Sequence, residues 1–370
     1  MKYYIIAGEA SGDLHGSMLL KALQQKDPQA EIYAWGGDKM AAAGAILRKH
    51  YKDLAFMGFV EVLKHLPTIL KNFKFCHQDI LNFNPDVIVL IDYPGFNLRL
   101  AQWAKKQGFK IAYYISPQVW AWKENRVKTI QHNVDAMMVI LPFEQAFYKK
   151  WHYEVTYVGH PLMEQLAIEK SKQDTLPFST DKPIIALLPG SRAQEIQLQL
   201  PIMLSVVPYF PQYQFVVAQA PSQEIALYQD LIQDKPVHIV KDKTYTLLKQ
   251  AKAALVTSGT ATLETALFEV PQVVCYKGNA ISFWLAKKLV SIQYISLVNL
   301  ILDKLAVKEL IQGDLQTDNL RKALSEIVEE GAVLEQLRAD YRNLQIKLKS
   351  PTGLTASEST AIKIVHLASS

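Results

Sequence analysis

The strongest constraint on the fold of this chain is a regular alternation of short apolar segments with segments of helical character. In the first half the apolar segments are rich in β-forming residues: YYIIAG, EIYAWGG, DVIVLID, KIAYYIS, AMMVILP and VTYVGHP. Such alternation predicts a parallel sheet with helical connections. Because the strands are continuously apolar, helices should cover both faces of the sheet. We therefore expect a doubly wound α/β domain.

A second set of strands follows the polar stretch EKSKQDTLPFSTDKP, whose composition is typical of a linker. These strands are IIALLPG, QFVVAQA, VHIVK, AALVTSG and PQVVCYK, with helices such as PIMLSVVPYF and the run from Thr260 to Phe268 between them. Since 370 residues exceed what one core usually supports, we predict two Rossmann-like domains, over 1–165 and 183–345, joined by a linker over 166–182. A helical tail over 346–370 could pack on either domain.

Composition excludes several classes of protein. The two cysteines, Cys76 and Cys275, have no ligand spacing, so neither a disulfide framework nor a metal site is predicted. The N-terminal apolar run of about five residues is too short for a signal peptide or a membrane span, and we expect a cytoplasmic protein. A net charge of +5 suits lipid headgroups, nucleotide phosphates and nucleic acid equally. No strand leads into GxGxxG, which argues against a nicotinamide-dependent oxidoreductase.

Two loops in the first half carry acidic candidates where parallel strands end, which is where α/β sheets bind ligands. The first loop is GEASGD, with Glu9, Ser11 and Asp13. Its two acids disfavour pyrophosphate, and a simple turn with an N-cap is the alternative. The second is LIDYPGFN, where burial of Asp92 would raise its pKa and suit it to act as a general base. The alternative for Asp92 is a cap on the helix that follows.

Two loops in the second half have the character of phosphate sites. LPGSR places Gly190, Ser191 and Arg192 at a strand-to-helix junction, where backbone amides, the helix dipole and a guanidinium suit an anion. SGTATLE supplies Ser258, Gly259 and Thr260 for a diphosphate and Glu264 for two ribose hydroxyls. Each loop alone could be a capped helix, and Ser-x-x-Glu spacing often marks a capping box. The presence of both loops in one half of the chain is stronger evidence for a phosphate site than either loop alone.

Two further stretches concern partners. Residues 56–75 combine large apolar side chains with lysines and suit a membrane interface or an acyl-chain groove, with a partly buried core helix as the alternative. The candidate membrane residues are Phe56, Met57, Phe59, Val62, Leu63, Leu66, Ile69, Leu70 and Phe73. The loop QVWAWK carries Trp120 and Trp122, which could belong to the core or form the wall of a substrate cleft.

Taken together, GEASGD, IDYPGFN, SPQVWAWKENRV, LPFE, VGHP, LPGSR, SGTATLE and SLVNL resemble, in order and spacing, the lipid-A-disaccharide synthase family over nearly the whole chain. The resemblance implies a GT-B fold, with two Rossmann-like domains facing a cleft and UDP held by the C-terminal one. It also implies an inverting transferase without metal or cofactor. Two positions depart from the family pattern: Gly95 replaces a frequent Asp, which leaves the role of its loop open, and Asp38 replaces a Pro.

The implied reaction transfers the sugar of UDP-2,3-diacylglucosamine to the 6-hydroxyl of 2,3-diacylglucosamine 1-phosphate, giving a β-1,6 disaccharide and UDP in lipid A biosynthesis. Asp92 takes the position of the base, with Glu9 as the second catalytic candidate. Further candidates around the donor are Asn299, Glu309 and Gln312, and His160 joins Ser11, Asp13 and the tryptophans around the acceptor. The implied location is the cytoplasmic face of the inner membrane. No nucleic acid partner is expected, and a homodimer, with or without exchange of C-terminal helices, stays open.

Two other functions remain as alternatives. Another GT-B enzyme, such as a UDP-N-acetylglucosamine 2-epimerase or a peptidoglycan-type transferase, would share the domains and the nucleotide site. A non-catalytic sugar or nucleotide binder would bind UDP without turnover. Product analysis separates them, because an epimerase needs no acceptor.

Overall fold

The first sheet of the computed structural model is formed by the N-terminal part of the chain. The structure describes residues 1–54, 66–122, 124–278 and 293–370. Within these residues the sheet has seven parallel strands: β1 (Lys2–Ala7), β2 (Glu31–Gly36), β3 (Ile46–His50), β4 (Val87–Ile91), β5 (Ile111–Tyr114), β6 (Ala136–Val139) and β7 (Thr156–Tyr157). Their order is β3-β2-β1-β4-β5-β6-β7, so the winding direction reverses between β1 and β4. Loops that leave these two strands diverge and open a crevice at the carboxyl edge of the sheet.

Helices cover both faces of this sheet. They are α1 (Ala10–Lys26), α2 (Asp38–Ala42), α3 (Leu66–Phe83), α4 (Pro94–Lys106), α5 (Arg126–Asn133) and α6 (Glu144–Lys149). Alternate residues of β1 enter different cores: Tyr4 and Ile6 pack on one face, and Tyr3 and Ile5 on the other. Each fully apolar strand is thus buried on both sides, as its sequence predicts.

The second sheet repeats this winding. Within the described residues it has six parallel strands: β8 (Ile184–Leu188), β9 (Gln214–Gln219), β10 (Val237–Lys241), β11 (Ala251–Thr257), β12 (Gln272–Tyr276) and β13 (Lys308–Ile311). Their order is β10-β9-β8-β11-β12-β13, with the reversal between β8 and β11. The accompanying helices are α7 (Pro161–Ser171), α8 (Ala193–Leu204), α9 (Ile225–Ile232), α10 (Thr244–Gln250), α11 (Thr260–Leu267), α12 (Leu297–Leu302), α13 (Thr317–Val328) and α14 (Ala332–Leu348).

The final helix, α15 (Ala356–Ser369), packs on the first sheet, where Ala361 and Ile364 join the core that contains β1 and α1. Gly159 lies beside this returning segment: its φ is +86°, and a Cβ would come within 2.7 Å of the Ser350 amide nitrogen. The chain accordingly forms two units, 1–161 with 348–370, and 162–347. The domain limits predicted from the sequence, 1–165, 166–182, 183–345 and 346–370, stay a prediction.

The predicted architecture of two parallel-sheet, Rossmann-like units is confirmed, with differences at the sheet edges. Strands β3 and β13 were not predicted, because both are polar edge strands. The predicted helix PIMLSVVPYF is wrong in part: α8 ends at Leu204, and Val207–Tyr209 forms a 3-10 turn. Pro208 explains the change, since proline lacks an N–H and disfavours helix at the residue before it.

Candidate functional site

Asp92 follows β4 directly, beside the reversal point of the first sheet. Asp92 and Tyr93 have φ values of 45° and 49°, a left-handed conformation that non-glycine residues rarely adopt. The turn packs tightly against the loop after β1, because a Cβ on Gly8 would lie 2.3 Å from the Tyr93 ring. The glycine of GEASGD therefore permits the two loops to meet.

Two side chains hold the Asp92 turn by its backbone carbonyl. Asn97 Nδ2 donates to the Asp92 oxygen at 2.8 Å, and the Tyr113 hydroxyl donates to the same oxygen at 2.6 Å. Both side chains are buried, and Asn97 also reaches the Ile91 carbonyl at 3.3 Å. These two hydrogen bonds offset the conformational cost of the left-handed turn. They also fix the Asp92 backbone from which the carboxylate side chain extends. Asn97 and Tyr113 lie in the segments IDYPGFN and KIAYYIS, whose patterns do not identify them as functional.

The environment of Asp92 favours proton acceptance near neutrality. Burial, followed by repulsion from Glu9, raises the pKa of Asp92 to about 6. A carboxylate with that pKa is largely ionised at pH 7 and still a stronger base than an ordinary aspartate. Glu9 itself is exposed at the N-cap position of α1. The structure thus brings the two predicted catalytic residues into electrostatic contact.

Asp13 is occupied by backbone amides. Its Oδ1 accepts from the N–H groups of Gly37 and Met40 at 2.7 and 3.0 Å, and Oδ2 accepts from Lys39 at 3.2 Å. Asp13 is buried, and it satisfies the start of α2 from a neighbouring loop. This is a structural task. Ser11, two residues earlier, is exposed.

His160 lies in the VGHP segment, where its amide donates to the Leu348 carbonyl at 2.9 Å. The ring is buried, and burial together with a second imidazole, His15, lowers the pKa of His160 to about 3. The pKa of His15 is lowered to about 4, first by burial and then by Lys39. Both imidazoles are therefore neutral at physiological pH.

The two tryptophans of the aromatic loop differ. Trp120 packs edge-on against Phe143 with ring centroids 4.9 Å apart, whereas Trp122 is 48% exposed beneath the Arg126 guanidinium. Ser116, at the start of this loop, shares a 2.6 Å hydrogen bond with the buried Tyr148 hydroxyl. Trp120 has core character, and Trp122 presents about half of its side chain at the surface.

In the second unit, all seven residues predicted from LPGSR and SGTATLE line one cavity of about 500 Å³. They are Gly190, Ser191, Arg192, Ser258, Gly259, Thr260 and Glu264. The cavity lies where β8, β9 and β11 end, at the reversal point of the second sheet. Glu195, Gln219 and Thr244 also line it and were not predicted.

The hydrogen-bond donors of the Arg192 loop are satisfied by Glu195 of the helix that follows. Glu195 Oε2 accepts from the amides of Ser191 and Arg192 at 3.2 and 3.3 Å, and Arg192 Nη1 donates to Oε1 at 3.3 Å. The predicted amide donors for phosphate are therefore engaged by a carboxylate of the chain itself. Arg192 is 72% exposed, so its guanidinium can turn to a ligand at little cost.

The Gly259 loop is arranged differently. Gly259 has φ of +148°, in the region that glycine alone adopts readily, and it precedes α11 directly. Among the described hydrogen bonds, none engages the amides of Thr260 or Ala261. The first turn of α11 therefore presents donors and the positive end of a helix dipole to the cavity.

Glu264 lies one turn into α11 and lines the same cavity. Tyr245 donates to its Oε1 at 2.7 Å. Burial raises the pKa of Glu264, and the Tyr245 hydrogen bond opposes that rise. A carboxylate in this place can accept two neighbouring hydroxyl groups of a sugar.

Asn299 and Glu309 support the cavity from outside it. Asn299 is fully buried, and its amide oxygen accepts from Ala306 and Val307 at 2.8 and 2.9 Å. Glu309 accepts from Asn299 Nδ2 at 2.8 Å and from the Ser296 amide at 2.9 Å. These bonds order the segment whose Ile295 carbonyl accepts from Ser258 Oγ at 2.8 Å. Neither residue, nor Gln312, is among the described residues that line the cavity.

The predicted membrane stretch is only partly within the described residues. Phe56, Met57, Phe59, Val62 and Leu63 lie outside them, and so does the side chain of Leu66. On α3, Leu70 is 60% exposed, Ile69 is half-buried, and Phe73 stacks on Phe96 with centroids 4.2 Å apart.

Membrane spans and metal clusters are both absent from the part of the chain that the structure describes. No helix there is both long and apolar enough to cross a membrane. No group of three or more His, Cys, Asp or Glu residues in the same ranges is placed to hold a metal ion.

Comparisons with known proteins bear on this geometry. Residues 3–365 match the family described as lipid-A-disaccharide synthetase. A lipid-A-disaccharide synthase from Syntrophus aciditrophicus is 38% identical over 373 residues, covering 98% of this chain and 97% of the relative. A UDP-GlcNAc 2-epimerase from Neisseria meningitidis, solved with UDP-GlcNAc bound, has a TM-score of 0.63 at 12% identity, and both chains are covered over 100% of their length. The glycotransferase of kitacinnamycin has a TM-score of 0.66 at 14% identity, with 99% and 98% covered. The two solved structures support the fold alone.

Proposed function

The chain belongs to the lipid-A-disaccharide synthase family, and from that premise we propose which residues perform the transfer and where. It is a glycosyltransferase of lipid A biosynthesis with a GT-B fold. This function is favoured over an epimerase or a non-catalytic binder, because residues 3–365 match the transferase family and the synthase from Syntrophus aciditrophicus is 38% identical, whereas the UDP-GlcNAc 2-epimerase from Neisseria meningitidis is 12% identical.

The donor in this proposal is UDP-2,3-diacylglucosamine, held in the cavity of the second unit. The open amides at the start of α11 bind the diphosphate, and Glu264 accepts the ribose hydroxyls. Arg192 leaves Glu195 to neutralise charge as UDP departs. The observation that carries this assignment is that all seven donor residues predicted from two separate motifs line one cavity.

The acceptor is 2,3-diacylglucosamine 1-phosphate, and Asp92 is its base. Asp92 takes the proton of the 6-hydroxyl as that oxygen attacks the anomeric carbon; the bond from this carbon to the diphosphate breaks and UDP leaves with the electron pair. Attack opposite the leaving group inverts the anomeric centre. Burial and then repulsion from Glu9 keep the pKa of Asp92 raised, and the exposed part of the Trp122 side chain contacts the acceptor.

The test is acceptor-dependent release of UDP in detergent micelles, with identification of the product. We expect a β-1,6 disaccharide and UDP in equal amounts, and no UDP release without acceptor. Conversion of the donor sugar in the absence of acceptor would instead indicate an epimerase. Binding of UDP without turnover by the folded protein would indicate a binder.

The enzyme, in this proposal, docks on the cytoplasmic face of the inner membrane through α3. Leu70 and Phe75 are 60% and 43% exposed on this helix, next to the exposed Lys71 and Lys74. Apolar side chains beside lysines bind anionic lipid surfaces. Replacing both apolar residues by serine should reduce co-sedimentation with anionic vesicles, whereas Ile346→Ser, at a position 68% exposed in the other unit, should not. Equal binding by both variants would contradict docking through α3.

Homodimer formation stays a prediction, to be measured by sedimentation equilibrium.

A further inference from the structure

A chain of hydrogen bonds reaches the donor cavity from outside it. Gln165 Nε2, on α7, donates to the Tyr245 hydroxyl at 3.0 Å, and that hydroxyl donates to Glu264 Oε1 at 2.7 Å. The chemistry of the groups fixes the direction, because an ionised carboxylate only accepts and a carboxamide N–H only donates. Because Gln165 donates to the Tyr245 hydroxyl, the single proton of that hydroxyl is directed to Glu264.

The Tyr245 ring is itself held in place. It stacks on Phe268, the residue after α11, with ring centroids 5.5 Å apart. Tyr245 and Glu264 are both half-buried, and Glu264 lines the cavity together with Thr244, the neighbour of Tyr245. Among the described groups none donates to Glu264 Oε2, so one oxygen is anchored and the other is available to the cavity.

We propose that Tyr245 is a positioning residue of the donor site: its hydroxyl, oriented by Gln165, holds the Glu264 carboxylate in the orientation that accepts ribose hydroxyls. This inference rests on the proposed function, in which Glu264 binds the ribose of a uridine nucleotide. Without the anchor, the carboxylate rotates about its last torsion, and the ribose must order it on binding.

The same hydrogen bond has an electrostatic consequence. Burial raises the pKa of Glu264, and donation from Tyr245 lowers it. Removing the hydroxyl leaves only the first influence, so Glu264 takes up its proton at a higher pH. A protonated Glu264 has one acceptor fewer for the ribose. As the pH is lowered, nucleotide affinity should therefore begin to fall at a higher pH in Tyr245→Phe than in wild type.

The experiment is calorimetric titration of the full chain with UDP and with 2′,3′-dideoxyuridine 5′-diphosphate. We expect Tyr245→Phe to weaken UDP binding by about tenfold, the size of one hydrogen bond to a charged group, and binding of the dideoxy nucleotide by less than about twofold. Gln165→Leu should act in the same direction by a smaller factor. Tyr341→Phe is the matched control, since that buried hydroxyl bonds Gln272 and Val270.

Glu264→Ala separates this inference from the proposed function, because it removes both carboxylate oxygens. It should abolish the preference for UDP over the dideoxy nucleotide, and Tyr245→Phe should then have no further effect, because the two residues act as one unit. If Glu264→Ala keeps the preference, the ribose assignment fails, and the role of Tyr245 fails with it. If Glu264→Ala loses the preference while Tyr245→Phe weakens both nucleotides equally, or leaves the pH dependence of UDP binding unchanged, Tyr245 is a packing residue only.

Discussion

The sheets of the two units are wound in the same way, and the loops at the point where the strand order reverses differ in their chemistry. In the first unit the loops after β1 and β4 carry two carboxylates, Glu9 and Asp92, in electrostatic contact. In the second unit the loops after β8 and β11 carry glycines, hydroxyls and Arg192 around one cavity. The topology fixes where a ligand can bind, and the loop residues decide which ligand that is.

This difference assigns separate tasks to the two crevices. Burial, followed by repulsion from Glu9, raises the pKa of Asp92, which suits proton transfer, and the two carboxylates also disfavour a diphosphate in the first crevice. Open amides at a helix start favour a diphosphate in the second. Changes in the first crevice should therefore affect turnover, and changes in the second should affect nucleotide affinity.

The largest expected effect is on turnover in Asp92→Asn. Loss of a general base should lower kcat by roughly 10² to 10⁴-fold, because the amide cannot take up the proton of the acceptor hydroxyl. Acceptor-dependent UDP release measures this. Asp86→Asn, at the opposite end of β4, is the matched control and should retain wild-type kcat. A kcat for Asp92→Asn within about threefold of wild type would remove Asp92 from the mechanism.

The next effect concerns the second crevice. Gly259→Ala places a side chain where φ is +148°, a strain of about 1–3 kcal/mol that shifts the loop before α11. We expect UDP affinity to fall by about tenfold or more, measured by calorimetry. Gly331→Ala, at a position with open space for a Cβ, should bind UDP normally. Unchanged affinity in Gly259→Ala would show that the diphosphate lies elsewhere.

A smaller effect should follow from loosening the Asp92 turn. Tyr113→Phe removes one of the two side-chain donors to the Asp92 carbonyl, a loss of about 1 kcal/mol and a decrease in kcat of about fivefold. UDP affinity should not change. Tyr153→Phe is the control, since its hydroxyl donates to the Val134 carbonyl at 3.2 Å. A parallel loss of UDP affinity in Tyr113→Phe would argue against separate tasks.

The last expected effect leaves turnover and affinity and concerns stability and its dependence on pH. The folded protein raises the pKa of Asp92 from 3.8 to about 6, so it binds this proton more tightly than the unfolded chain does. That contribution is complete below pH 4 and is lost as pH rises through 6. Asp92→Asn should therefore have a higher Tm than wild type at pH 8, with the gap closing by pH 4. A lower Tm for the variant at pH 8 would contradict the burial assigned to this carboxylate.

The sequence predicts the sheets well where strands are apolar on both faces. It does not predict β3 and β13, because a polar edge strand has the pattern of a loop until its neighbour is known. It leaves open where the last helix packs, since the contact of α15 with α1 joins residues more than 300 positions apart. Long-range contacts of this kind leave no local pattern.

The site is predictable where a motif binds through its own loop. All seven residues of LPGSR and SGTATLE assigned to the donor line one cavity. Residues that act through others are not predictable: Asn97 and Tyr113 hold a backbone carbonyl, and Tyr245 reaches Glu264 from another helix. The occupation of the Arg192 loop by Glu195 is also missed, because the spacing indicates a helix cap and not which amides remain open.

The most direct test of separate tasks is the affinity of Asp92→Asn for UDP, titrated calorimetrically beside wild type. The account predicts dissociation constants within about twofold of each other for a variant whose turnover is nearly abolished. A loss of UDP affinity as large as that of Gly259→Ala would mean that Asp92 belongs to the nucleotide site, and the division between the two crevices would be wrong.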